Sequence, residues 1–195
     1  AAFGARLADI PDDYVALEMW HETNAQKDGT LRRETQFPEN LAGLVFSGPL
    51  FNVANPYFQT PRAVCNTNRA YDSLDLQRLP DKYISRTNYI PAVTSSEFRE
   101  RTPRVPWTDR KPVTDFYRVL SRTMLSQAGE RTLISCIIPP ASSHIYTGFT
   151  VLPKEQEKLA ALAGSYSSVP FDFFVKTTGK SHFLNEIARQ LPLID

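Results

Sequence analysis

The arginines of this chain are the residues whose number and position suggest a function. That function would be the binding of an anion. Residues 62–131 contain 13 Lys and Arg against 8 Asp and Glu, whereas the rest of the chain has 9 basic and 13 acidic residues. Eleven of those 13 are Arg, whose planar guanidinium makes paired hydrogen bonds to phosphates and guanine edges. The whole chain carries only +1. The excess is therefore local and indicates an anionic partner, the alternative being a solvated surface whose charges pair locally.

Arg118 and Arg122 are the basic pair whose spacing says most about their position. A separation of four residues places both side chains on one face, whether residues 115–124 form a strand or a helix. The apolar, β-branched run 132–138 ends at two prolines and predicts a strand buried on both faces. We therefore expect a core element that displays a cationic edge. The alternative is two surface arginines paired with nearby carboxylates.

Residues 71–112 are the most irregular and most basic part of the chain, and within them residues 97–112 are predicted to form a charged loop. Its prolines argue against regular structure, and a long loop inside a compact domain is usually functional or disordered. Basic residues interleaved with aromatic ones suit a nucleic-acid surface, on which Arg and Lys contact phosphates or base edges and aromatic rings stack. The alternative is that Trp107 packs into the core and anchors the loop.

Two groups of residues look like a metal site and a catalytic site, but neither has the full set of residues that such a site needs. Glu18, His21 and Glu22 cluster in the sequence, but no further histidine stands at a metal-ligand spacing from them. Ser181 and His182 have no Gly-x-Ser-x-Gly turn that would support nucleophilic catalysis. The sequence therefore favours binding over catalysis.

The elements that would carry the basic residues predict an α+β fold. The clearest helix is 153–164, with Pro153 at its first position and Gly164 at its C-cap. Residues 169–177 and 183–191 predict two further helices. We expect a mixed, mainly antiparallel sheet with two or three helices packed at the C-terminal end.

The domain boundary is expected near residue 40. Residues 41–195 would form the main domain. Residues 1–40 would form an N-terminal extension or a hairpin with Asp28-Gly29 at its tip, and their inclusion in the same domain is the alternative. The chain begins Ala1-Ala2-Phe3 without Met, which suggests a module excised from a longer protein.

Cysteine use and hydropathy bear on where the protein works. Cys65 and Cys136 lie in strand-like apolar stretches, which predicts buried free thiols and a reducing, cytoplasmic location. No apolar run is long enough to span a membrane, so no membrane partner is expected.

A set of short motifs runs through the chain from about Tyr14 onward. They are Phe46-Ser47-Gly48-Pro49, Asn55-Pro56, Thr60-Pro61-Arg62, the Tyr-Ile-Ser-Arg-Thr-Asn-Tyr run at 83–89, Tyr117-Arg118, the Glu-Arg-Thr-Leu-Ile-Ser run at 130–135, and Pro139-Pro140. A Leu/Ala-rich helix, Pro-Phe-Asp-Phe and Gly-Lys-Ser-His close the pattern. Together these motifs resemble the C-terminal half of large bacterial N6-adenine DNA methyltransferases, including the single-chain restriction-modification enzymes called type IIG. The closing pattern is also similar to the recognition domains of type I specificity subunits.

The resemblance implies a target recognition domain, located C-terminal to a methyltransferase domain in the same chain. The parent enzyme would transfer a methyl group from S-adenosylmethionine to an extruded adenine, and some such enzymes also cleave DNA. This chain lacks the Gly-rich cofactor loop and the Asn-Pro-Pro-Tyr/Phe loop of those enzymes. No cofactor and no catalytic residue are therefore expected within it.

On this hypothesis seven basic residues would contact double-stranded DNA, mostly at phosphates, with one or two arginines reading guanine edges in the major groove. They are Arg86, Arg104, Arg110, Lys111, Arg118, Arg122 and Lys180. The alternative function is a protein-interaction module that docks a partner subunit or domain through the apolar faces of residues 155–176.

Overall fold

The computed structural model describes residues 5–52, 55–67 and 69–193. Within these ranges the chain forms ten strands and five α-helices. The strands are β1 (Tyr14–Leu17), β2 (Leu31–Gln36), β3 (Val45–Phe46), β4 (Gln59–Pro61), β5 (Tyr71–Ser73), β6 (Thr87–Pro91), β7 (Arg118–Arg122), β8 (Ser135–Ile138), β9 (Ser143–His144) and β10 (Gly148–Pro153). The helices are α1 (Glu22–Lys27), α2 (Ser95–Arg101), α3 (Lys158–Tyr166), α4 (Val169–Thr177) and α5 (Asn185–Ala188).

The centre of the fold is a four-stranded antiparallel sheet of order β1-β10-β7-β8. Three two-stranded sheets flank it: β2 with β6 and β4 with β5 are antiparallel, and β3 with β9 is parallel. Helices α3, α4 and α5 follow the last strand. The expected α+β class, with mainly antiparallel pairing, is confirmed.

Strand β7 separates two apolar layers because its side chains alternate between the two faces of the sheet. Val119 packs with Val151 and with Tyr166 from the helical side. Leu120 points the other way, into a cluster that includes Phe46 of β3. Burying each of these side chains stabilises the fold by about 1.5–3 kcal/mol, so the sheet needs cover on both faces.

Helix α4 is the element whose bounds the sequence predicts correctly. Ser168 caps it by accepting a hydrogen bond from the Phe171 N–H at 3.5 Å, and a proline stands in its first turn. The buried carboxylate of Asp172 accepts hydrogen bonds from the backbone N–H groups of Thr132 (2.8 Å) and Leu133 (2.7 Å). These contacts fix the helix against the segment that leads into β8.

The predicted helix 153–164 is wrong at both ends. Pro153 is the last residue of β10 and lies opposite Tyr14 of β1, and the helix begins only at Lys158. Gly164 lies inside the helix and does not cap it. Strand pairing overrides the first-turn signals, because β10 has neighbours on both edges. The last predicted helix, 183–191, is also shorter and covers only Asn185–Ala188.

The expected N-terminal hairpin is wrong as well. Residues between β1 and β2 form helix α1, and Gly29 follows it with a φ of 74°, a conformation that glycine adopts without steric cost. The two strands then enter different sheets, β1 beside β10 and β2 beside β6. Residues 5–40 are therefore part of the same fold as the rest of the described chain.

Two expectations for the middle of the chain also need correction. The strand predicted over 132–138 covers only Ser135–Ile138 and lies at the edge of the sheet, so Ile137 is 38% exposed and not buried on both faces. The irregular segment 97–112 begins inside helix α2, which Thr94 caps by accepting a hydrogen bond from the Glu97 N–H at 3.3 Å. The predicted free, buried thiols Cys65 and Cys136 are confirmed.

None of the helices in the described ranges has both the length and the apolar character needed to cross a bilayer.

Candidate nucleic-acid interface

A short hairpin over residues 103–113 carries three of the seven predicted contacts. The Val105 N–H donates to the Lys111 carbonyl at 2.9 Å, and the Val113 N–H donates to the Pro103 carbonyl at 2.8 Å. Both valines are fully buried, and they anchor the base of the hairpin in the core. The exposed basic side chains on it are Arg104, Arg110 and Lys111.

Trp107 packs into the core and anchors the loop, as the alternative interpretation of this segment predicts. It is half-buried and packs against the cluster of Val105, Val113 and Leu152. This anchoring does not exclude a functional loop, because it holds the neighbouring cations on a rigid support. Pre-ordered side chains lose less entropy when they bind a ligand.

Backbone strain concentrates at this hairpin and close to it. Among the described non-glycine residues, a positive φ occurs at Asp109 (54°), Arg110 (53°) and Ala141 (69°). Aspartate tolerates this left-handed conformation, whereas arginine and alanine rarely adopt it. Residues held in such conformations cluster at binding and active sites, so the strain marks this region as the candidate site.

A groove of about 980 Å³ lies beside the hairpin. Phe37, Lys111, Phe116 and the strained Ala141 are among the residues that line it. The Phe37 side chain is 53% exposed. The guanidinium of Arg86 lies 4.5 Å from the centre of the Phe37 ring, so a fourth predicted contact lies against a ring that lines the groove.

Carboxylates also lie in this region: Asp109 is exposed on the hairpin next to Arg110, and Asp115 follows the hairpin in the chain. Asp115 accepts two hydrogen bonds from Arg99, at 2.5 and 2.7 Å, and these bonds chiefly lower the pKa of Asp115. The positive charges of Lys111 and Arg104 lower it further. Within the described chain, none of the three hairpin cations forms an ion pair with a carboxylate. The region therefore keeps a positive excess.

The remaining predicted contacts lie elsewhere. Arg122 is half-buried at the far end of β7, beside Gly48, and burial lowers the pKa of its guanidinium. Lys180 is exposed but forms an ion pair with Glu186 at 3.1 Å. Neither side chain lines the groove. Of the seven residues, Lys111 lines the groove, Arg104 and Arg110 share its hairpin, and Arg86 lies against the Phe37 ring. The other three lie elsewhere.

Arg118 is the clearest departure from the expected cationic edge. Its side chain is 0% exposed, because β7 lies between β10 and β8 and is covered by the β3–β9 pair. One guanidinium nitrogen donates to the Ser142 carbonyl at 2.5 Å, and another lies 4.0 Å from the Met19 sulfur. A fully buried guanidinium cannot reach a phosphate, so Arg118 leaves the set of candidate contacts.

His144 lies in the same buried layer as Arg118. Its ring nitrogens contact the Ile145 carbonyl and the Thr150 hydroxyl. Burial, and secondarily the charge of Arg118, lower the pKa of His144 to about 3. The imidazole is therefore neutral near pH 7, and Arg118 is the charged member of the pair.

Sequence reasoning missed three groups at this site. Phe37 and Ala141 carry no local signal, since nothing near them in the chain indicates a groove. Arg99 belongs to the basic segment, but the alternation of charges in 97–101 hides its pairing with Asp115. The common cause is that the groove forms between segments far apart in the chain.

No family model and no curated protein matches this chain. Among the described residues, no group of three or more His, Cys, Asp or Glu is placed to hold a metal ion. The geometry of the site is therefore the main ground for a functional proposal.

Proposed function

We propose that this domain binds double-stranded DNA, and that the hairpin 103–113 is its main contact. The observation that carries the proposal is the group of Arg104, Arg110 and Lys111, three exposed cations on one anchored hairpin without a carboxylate partner in the described chain. Such side chains are available for phosphate oxygens. The strained backbone at Arg110 is a further support, because residues in such conformations cluster at binding sites.

The finer proposal is that the domain is the target recognition module of an N6-adenine DNA methyltransferase of a restriction-modification system. The motifs shared with type IIG enzymes and type I specificity subunits support it. The methyltransferase domain and its S-adenosylmethionine would then belong to the same chain, N-terminal to this domain, and the protein would work in the cytoplasm. Arg110 and Arg104 are the side chains we assign to guanine edges or phosphates, and Arg86 to a phosphate.

The first experiment is a titration of labelled duplex DNA at two salt concentrations. Each phosphate contact contributes about 0.9 to the slope of log affinity against log salt. The double variant R104A/K111A should therefore bind more weakly, with a slope smaller by about 2. The matched control K158A/R189A removes the same two kinds of charge from exposed positions at α3 and after α5, and should leave the slope unchanged. Equal effects of both double variants would contradict the proposal.

A protein-interaction module remains the second candidate, and one observation favours it. Helix α4 exposes Val169 (71%), Phe173 (66%) and Phe174 (36%), within the segment for which a docking face was expected. Exposed aromatic side chains are enriched in protein interfaces. Duplex binding that ignores salt, or no binding at low salt, would favour this candidate over the first.

A further inference from the structure

The groove beside the hairpin has a composition that a duplex-binding surface does not require. A duplex presents phosphates and base edges, and its bases are stacked on each other. The groove offers an exposed ring, Phe37, at a concave position, with the Arg86 guanidinium against it. Phe116 and Lys111 line the groove as well.

Aromatic rings beside cations are the combination that holds unpaired nucleotides. A base stacks on the ring, and the cation contacts the adjacent phosphate. The groove volume of about 980 Å³ lies at the upper end of the usual range for small-ligand sites, about 300–1,000 Å³. Gln36 also lines it and brings an amide, which can both donate to and accept from a base edge.

The charges around the groove place the phosphate near the hairpin. Asp115 is held by Arg99 through two hydrogen bonds, so its charge is largely compensated. Glu39 follows Phe37 in the lining and is exposed, and it disfavours a phosphate at that end. Lys111 forms no ion pair with a described carboxylate.

We propose that this groove binds an unpaired DNA nucleotide, with its base stacked on Phe37 and its phosphate held by Lys111. The inference rests on the proposed function, since it takes DNA as the ligand. It goes further by assigning the groove to a nucleotide that has left the base stack, in addition to the hairpin contacts on the duplex.

The test compares two labelled DNA molecules, a fully paired duplex and the same duplex with one unpaired thymine. The wild-type protein should bind the second about tenfold more tightly, at the low end of what base–aromatic stacking provides. Phe37→Ala and Phe37→Leu should lose this gain and bind the two DNA molecules with equal affinity. Phe37→Trp should retain it. Phe173→Ala removes an equally exposed ring from α4 and should leave both affinities unchanged.

The outcomes separate this inference from the proposed function. If the paired duplex is bound but the unpaired thymine gives no gain, or the gain survives in Phe37→Ala, the groove assignment is overturned and the duplex proposal stands. If Phe37→Ala weakens both DNA molecules equally, the ring contacts the duplex itself and the assignment is again overturned. Absence of binding to the paired duplex at low salt overturns both. Because Phe37 is half exposed, the fold of each variant can be checked by its thermal midpoint.

Discussion

Arg110 and Arg118 stand eight positions apart and were expected to share one function, but they lie in opposite environments. Arg110 is exposed at a strained turn of the hairpin 103–113. Arg118 is fully buried in β7 and reaches only the Ser142 carbonyl and the Met19 sulfur. Neither has a carboxylate partner among the described residues. The difference shows that the residues packed over an arginine decide whether a ligand can reach it. The position of the arginine in the sequence does not.

The two environments impose different costs on the protein. At Arg118 the cost is desolvation of a charge, which hydrogen bonds offset only in part. At Arg110 the cost is a left-handed backbone, about 1–2 kcal/mol for a non-glycine residue. The desolvation cost at Arg118 arises in the core of the fold, whereas the backbone strain at Arg110 arises on the proposed binding surface. This division can be tested by substitution at each position.

The largest effect is expected at Arg118. Arg118→Ala should lower the free energy of unfolding by about 3 kcal/mol, because it leaves a cavity and an unpaired carbonyl in a packed layer. Arg118→Met fills the volume without a buried charge and should stay close to wild type. Urea denaturation measures both. If the two variants were equally destabilised, the charge itself would be the stabilising feature. Burial of the Arg118 charge would then not be a net cost to the fold.

His144 tests the same buried layer through pH. Its folded pKa is lowered from 6.5 to about 3, so between these values the unfolded chain binds a proton that the folded protein excludes. The free energy of unfolding should therefore fall with decreasing pH, by about 2 kcal/mol between pH 7 and 5. His144→Gln should remove most of this slope in urea denaturation, whereas His182→Gln, at an exposed position, should not. Arg118→Met should reduce the slope, because it removes a charge that helps to lower this pKa.

Arg110 should show the opposite balance of stability and binding. Arg110→Gly relieves the positive φ and is expected to raise the free energy of unfolding by about 1 kcal/mol, while it weakens duplex binding. Arg104→Gly is the matched control, because Arg104 has no positive φ to relieve; it should lose stability and binding together. A loss of stability in both variants would show that the turn at Arg110 is not strained.

The smallest effect is expected at Asp115. Hydrogen bonds from Arg99 chiefly lower its pKa, so its contribution to stability is complete above the ordinary carboxyl pKa of 3.8 and is lost as pH falls through the lowered value. Asp115→Asn should cost less than about 1 kcal/mol near pH 7, since Arg99 is exposed to solvent. It should also flatten acid denaturation at low pH, whereas Asp109→Asn at the hairpin tip should leave that profile as in wild type.

Local signals sufficed where an element depends on its own residues. The bounds of α4 follow from a serine cap, a proline in the first turn and an apolar face, and all three lie within ten residues. The start of α3 could not be found in this way, because Pro153 pairs with β1 as the last residue of β10. The residues of β1 stand more than a hundred positions earlier in the chain. The same limit applies to the groove, whose walls come from segments near residues 37, 111 and 141.

Sequence alone determined the α+β class, the buried thiols, the bounds of α4 and the presence of a basic middle segment. These properties depend on composition and on periodicity over a few residues. Only the tertiary structure decided that Arg118 is buried, that Arg122 and Lys180 lie away from the groove, and that Arg86 lies against the Phe37 ring. The reason is physical: the accessibility of a charge is set by the residues that pack over it, and those residues come from distant parts of the chain.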